Sequence, residues 1–127
     1  MRIERFEDIE AWQMARALTN SIYAASRAAG FDRDFGLRDQ IQRASGSIMH
    51  NIAEGFDAGS NAEFVRFLVY AQRSCTEVQS ELYVALDQHY IPEALFVELY
   101  QAGAVIKAKI GAFIKYLRAH PRPSSLA

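Results

Sequence analysis

The sequence predicts an all-α fold, an antiparallel up-down-up-down four-helix bundle, on three observations. From residue 64 onward, apolar or small side chains fall at Phe64, Leu68, Ala71, Cys75, Val78, Leu82 and Ala85. These alternating steps of four and three draw a seam along a helix packed lengthwise on other helices. Three further stretches carry apolar stripes at helical spacing, and no strand is needed to account for the chain. The connections between the four stretches are short, and short loops between long helices make neighbours antiparallel.

The first helix is predicted over about 7–29, with Ile9, Trp12, Ala15, Leu18, Ile22 and Ala25 on its inner face. Glu7, Asp8 and Glu10 crowd its first turn, where the helix dipole favours negative charge, and Gly30 is placed to stop it. After the linker 31–35, Asp34 is a candidate cap for a second helix over about 36–54, carrying Leu37, Ile41, Ala44, Ile48 and Ile52. Gly46 lies inside that helix and marks either close approach by another helix or, equally, a tolerated defect. Ser60-Asn61-Ala62-Glu63 has the capping-box pattern and starts the third helix, over about 61–89. Pro92 suits the first turn of the fourth, over about 93–119, with Leu95, Leu99, Ala102, Ile106, Ile110, Phe113 and Leu117 inward. Residues 1–120 are expected to form one domain and 121–127 a flexible tail.

At 127 residues, with 50% hydrophobic and 23% charged side chains, the chain has the makings of one globular core. A formal net charge of -1 provides no global field toward nucleic acid or an anionic membrane. Cys75 falls on the apolar seam and reads as a small core residue. One cysteine cannot form an internal disulfide, which suits a reducing compartment. Neither a signal peptide in residues 1–20 nor an apolar run of about 18 residues is seen, so the expectation is a soluble cytoplasmic protein without membrane contact.

The residues of an enzyme are not assembled in recognisable form. A di-iron bundle needs Glu-x-x-His pairs, but Ser47, Leu86 and Leu117 stand three before His50, His89 and His120. No nucleophile elbow or phosphate-binding loop occurs. No cofactor, metal or catalytic residue is therefore expected. Asn51 and Glu54, at the end of the second helix, read as structural: they can hydrogen-bond orphan backbone groups of the helix end or a neighbouring arginine, with Arg43 and Arg66 the candidate partners of Glu54.

Several short elements carry a resemblance. These are Phe6-Glu7-Asp8-Ile9-Glu10-Ala11-Trp12, Phe35-Gly36-Leu37, Arg43-Ala44-Ser45-Gly46-Ser47-Ile48, Asn51-Ile52-Ala53-Glu54-Gly55, Glu63-Phe64-Val65-Arg66-Phe67-Leu68 and Tyr90-Ile91. Together, over roughly 6–118, they resemble the four-helix-bundle proteins encoded in intervening sequences of bacterial large-subunit ribosomal RNA genes. Relatives of that family include the accessory variability protein of diversity-generating retroelements. The resemblance implies a bundle that assembles as a ring-shaped homopentamer. It gives Arg43, Asn51, Glu54, Gly55 and Arg66 a place in the family motif, and for the retroelement relatives it implies binding to a reverse transcriptase and to nucleic acid.

Two surfaces are candidates for contact with a partner. A second stripe on the third helix, Val65, Val69, Gln72, Thr76, Gln79 and Tyr83, is rotated by about 100° from the core seam and carries no charge. A solvated face would carry Lys and Glu, so this stripe is the candidate subunit interface; the alternative is that it widens the core seam, which suits Val65 and Tyr83 better than Gln72 and Gln79. Between residues 107 and 122, Lys107, Lys109, Lys115, Arg118 and Arg122 occur without an acid. Lys107, Lys115 and Arg118 share a sector opposite the core, with Tyr100 one or two turns earlier, and form a candidate phosphate patch. The preferred expectation is a non-enzymatic, self-assembling scaffold or binding module with itself or another protein as partner. The alternative is a nucleic-acid-binding accessory protein, and the slightly acidic balance implies weak binding at physiological salt.

Overall fold

A computed structural model describes residues 3–121. Its four helices are α1 (Glu10–Ala25), α2 (Phe35–Phe56), α3 (Asn61–Asp87) and α4 (Glu93–Ala119), with short 3-10 helices at Phe6–Asp8 and Phe31–Arg33. Packing closes the cycle α1–α2–α3–α4, each helix against its chain neighbours and α4 back against α1. This is the four-helix bundle that the periodicity predicts. The expected tail lies outside the described residues from 122 onward, and Arg122 with it.

The third-helix seam is the centre of the core: Phe64, Leu68, Ala71, Cys75, Val78, Leu82 and Ala85 are all buried. Ile41, Ile48 and Ile52 meet it from α2, and Ile106 and Ile110 from α4. Two stripes differ in detail from expectation. On α1, Ala11 is buried where Trp12 was expected; Trp12 is half-buried, edge-on to Phe6 at 5.2 Å. On α4, Gly103 and Ile114 are buried while Ala102 and Phe113 are half-buried. The inward face of α4 is thus turned a few tens of degrees toward α3.

The boundaries follow from local hydrogen bonding. Asp34 Oδ1 accepts from the Leu37 N–H at 3.1 Å and Ser60 Oγ from the Glu63 N–H at 3.2 Å, so both expected caps form. The first helix is shorter than expected at both ends. Asp8 Oδ2 accepts from the Glu4 and Arg5 N–H groups, which holds a separate 3-10 turn, and Ile9 is extended and buried before α1 begins. At the other end, Ser26 Oγ donates to the Tyr23 carbonyl and accepts from Gln42 Nε2. Gly30 is not the stop; at φ +92° it makes the left-handed turn that buries Phe31 against Tyr90. The third helix ends at Asp87, two residues early, with His89 at φ +62°. Tyr90 N donates to the Ala85 carbonyl and His89 N to the Leu86 carbonyl, the two bonds of a Schellman termination.

Gly46 does not mark a close approach. A Cβ there would meet His50 of its own helix no nearer than 3.6 Å. The close approach lies at Gly55, where a Cβ would come within 2.8 Å of the Phe64 ring and 2.9 Å of Phe67 Cβ.

Candidate interaction surface

The outer side of α3 is bounded by α2 on one flank and α4 on the other. Toward α2, Ser74 Oγ donates to Ser47 Oγ at 3.0 Å, and Asn51 Nδ2 donates to both the carbonyl and the hydroxyl of Ser47. Asn51 therefore bonds Ser47 within its own helix, and not the orphan groups of the helix end or an arginine. Glu54 does not pair as expected: it is exposed, and Arg66 reaches Glu63 one turn earlier in the same helix instead. Arg43 is also exposed, about 16 Å along α2 from Glu54 at the rise of a regular helix, too far to pair.

Toward α4, two amides settle over two glycines. Gln79 Nε2 donates to the Tyr100 carbonyl at 3.3 Å, beside Gly103, where a Cβ would meet Gln79 Cγ at 3.4 Å. Gln72 Nε2 donates to the Lys107 carbonyl at 3.2 Å, beside Gly111, where a Cβ would meet that nitrogen at 3.3 Å. Of the candidate interface stripe, Gln72 and Gln79 thus find polar partners inside the chain, and Val65 and Val69 pack half-buried against the core. Thr76 and Tyr83 are exposed. The pattern missed this arrangement because the partners of the two glutamines are backbone carbonyls. The readable signal was Gly103 and Gly111 on the next helix, at nearly the spacing of Gln79 and Gln72.

The surface outside those amides is the α3–α4 edge. At its loop end, Tyr83, Phe96 and Tyr100 touch one another, with ring centroids 4.9–5.8 Å apart, and Tyr83 is 50% exposed. Lys107 Nζ lies over the middle and donates to Thr76 Oγ1 at 2.8 Å. By helical phase Val97, Ala104 and Ala108 extend the edge across α4, and Lys115 and Arg118 stand exposed at its far end. Carboxylates near these spans are turned elsewhere. Glu98 lines a groove against α1, and Glu77 and Glu81 lie toward α2 by phase. Burial, reinforced by the charge of Glu77, pushes the Glu81 carboxyl up to about 7.

Cavities also lie elsewhere: one of about 850 Å³ follows the α3–α4 connection, lined by Leu86, His89, Tyr90 and Pro92. One of about 280 Å³ lies between the start of α1 and the end of α4, lined by Ile9, Ala11, Ala112 and Phe113, with Glu10 and Lys109 paired at 2.8 Å on its rim. Burial pushes the Cys75 thiol up to about 12, which keeps it protonated and unreactive. Among the described residues, no group of three or more His, Cys, Asp or Glu side chains is placed to hold a metal, and no helix is long and apolar enough to cross a membrane.

The sequence profile of the 23S rRNA-intervening sequence proteins matches residues 7–112. A crystal structure of a protein of unknown function, from the S23 ribosomal protein family of Bacteroides thetaiotaomicron VPI-5482, superposes with a TM-score of 0.75 at 22% identity. The match covers 83% of this chain and 98% of that one and shows a shared fold. None of the curated proteins matches. The chain belongs to the 23S rRNA-intervening sequence protein family.

Proposed function

We propose that this member of the family is a non-enzymatic scaffold that assembles with copies of itself, as a closed ring of five, through the α3–α4 edge. One observation carries the reading: between its charged ends, the edge exposes Tyr83, Val97 and Ala108, with the cations Lys107 and Arg73 and no carboxylate among the described residues there. Depletion of charge with enrichment of aromatic and small side chains marks a surface that is covered by protein. A ring also repeats whatever the scaffold binds, which raises the effective affinity of weak sites.

The test places a charge on the edge without touching the core. Ala108→Glu and Tyr83→Glu change exposed positions, so helical content and thermal unfolding of the single chain should be nearly unchanged. Size-exclusion chromatography should show both variants eluting as smaller species than the unmodified protein. Variants that co-elute with an assembled wild type would remove the α3–α4 edge from the assembly.

A second reading is favoured by Lys107, Lys115 and Arg118, all exposed along that edge, with the Tyr83, Phe96 and Tyr100 rings at its loop end and Lys107 the cation on their side of the row. Cations beside exposed aromatics suit single-stranded nucleic acid. Removing the three charges together should then weaken retention on poly(U) and reduce its salt dependence by about one unit of slope per lost phosphate contact. Retention indifferent to the triple change would end this reading.

A further inference from the structure

Charge is spread unevenly along the first half of the chain. Between Glu10 and Asp32 the charged residues are Arg16 and Arg27, and between Asp39 and Glu54 the one charged residue is Arg43. In the fold these two stretches lie side by side, as α1 with its following turn and as the middle of α2. Thr19 Oγ1 donates to the Ser45 carbonyl at 3.1 Å and Gln42 Nε2 donates to Ser26 Oγ at 2.8 Å, which identifies the flank of α1 that faces α2. Trp12, Arg16 and Tyr23 share a sector of about 40° just outside that flank, and Arg27 follows one turn on.

On α2, Arg43 and His50 turn outward at about the levels of Tyr23 and Arg16. The floor between the two rows is low and uncharged. Gly46 has no side chain, and a Cβ there would meet only His50, at 3.6 Å; Met49 beside it is half-buried. Arg16, Arg27 and Arg43 are all exposed, and among the described residues none has a carboxylate within ion-pair distance. The carboxylates at the ends of this groove are engaged. Asp39 is held by Arg38 at 3.4 Å, Asp34 caps α2 and accepts from the Tyr90 hydroxyl, and one Asp32 oxygen is buried. At the other end Glu7 pairs with Arg5 and Asp8 accepts from the Glu4 and Arg5 N–H groups.

We infer that the α1–α2 groove binds an acidic amphipathic helix of another protein. Its apolar face would lie on Trp12, Gly46 and Met49, and its carboxylates would meet Arg16, Arg27 and Arg43. Arginine presents a planar fork that matches a carboxylate at two points, and three such forks without internal partners are complementary to an acidic surface. Trp, Tyr, Arg and Met are the residue types that protein interfaces concentrate, and a helix laid in a groove is a recurrent mode of recognition. The rings suit a nucleic acid less well: Trp12 is half-buried with Arg16 over its ring at 5.9 Å, so it is not a free platform for stacking bases. The inference goes beyond the self-assembly reading and does not depend on it.

Trp12 is the one tryptophan of the chain and sits on the rim of the groove, so its emission reports on this face. The full chain is titrated with a blocked synthetic helix of about six turns, Leu on one face and Glu elsewhere, with the same peptide bearing Lys for Glu, and with poly(U). The acidic peptide should shift the emission saturably, and the Lys peptide should not. Anisotropy of labelled peptide gives the affinity where a change at Arg16 alters the emission itself. Arg16→Ala with Arg27→Ala should weaken binding of the acidic peptide about tenfold or more. Gly46→Gln, which fills the floor and keeps every charge, should weaken it about fivefold. Lys107→Ala with Lys115→Ala, on the other edge, should leave it within about twofold. Circular dichroism checks that each variant is folded. No saturable binding, equal binding of the Lys peptide, or indifference to the arginine pair would overturn the inference. So would a larger emission shift with poly(U), which would give the groove to nucleic acid, or loss of self-assembly in the arginine variant, which would give it to a second copy. A wild type that sediments as a single chain yet binds the acidic peptide would end the self-assembly reading alone.

Discussion

The two flanks of α3 solve the same problem in different ways. Toward α2, Phe64 and Phe67 press on Gly55 at one end of the seam, the hydroxyls and amide of Ser47, Asn51 and Ser74 bond each other along it, and Glu77 and Glu81 lie beyond them. Toward α4 the polar groups are long amides that reach backbone carbonyls over Gly103 and Gly111. The first flank turns its hydroxyls and its amide on one another. The second keeps its polar ends inside as well, and presents rings, small side chains and sparse cations outside. The difference separates the side of α3 that builds the fold from the side that is free to be covered.

The largest expected effect tests the seam that both flanks share. Leu82 is buried at the centre, so Leu82→Ala should cost about 2–5 kcal/mol in urea unfolding through lost burial and a residual cavity. Gly55→Ala comes next. Its Cβ would press on Phe67 Cβ, an atom next to the backbone that cannot swing aside, so overpacking of about 1–3 kcal/mol should outweigh the gain in helix propensity of about 1 kcal/mol. Gly46→Ala should be neutral or stabilising by up to about 1 kcal/mol, because only ordinary contact with His50 awaits its Cβ. Opposite signs for these two α2 glycines would confirm that the close approach belongs to Gly55. Gln79→Ala should cost about 0.5–1.5 kcal/mol on the α4 flank. Lys115→Ala, exposed on the outer edge, should change stability by less than about 0.5 kcal/mol.

The α2 flank also carries a pH dependence. The Glu81 carboxyl is raised from 4.5 to about 7, chiefly by burial and then by Glu77, so the folded chain holds this proton more tightly than the unfolded chain. That contribution to stability is fully present below pH 4.5 and is lost as pH rises through about 7. Glu81→Gln should flatten the thermal-stability profile over this range and raise the melting temperature at pH 8. A profile identical to wild type would show that Glu81 ionises as an ordinary surface carboxylate.

Much of the fold was legible because it depends on side chains that repeat with the helix. The third-helix seam, the caps at Asp34 and Ser60 and the four helices all follow from spacing and end chemistry. The errors have physical causes. The first helix ends at Ala25 because Ser26 bonds Tyr23 and Gln42, a tertiary contact invisible in a propensity window. The inward face of α4 is turned by the Gln–Gly contacts, and Glu54 was offered Arg66 when Glu63, one turn away, was the nearer partner. For the interaction surface, absence of charge singled out the α4 side of α3. It did not distinguish residues that face a carbonyl of the next helix from residues that face outward.

The central claim is that the α3–α4 edge is covered by another copy of the chain. Native mass spectrometry of the unmodified protein at micromolar concentration tests it most directly, by counting chains of 14.3 kDa in the intact species. The account predicts a closed assembly of five chains. A spectrum containing only the single chain would contradict it.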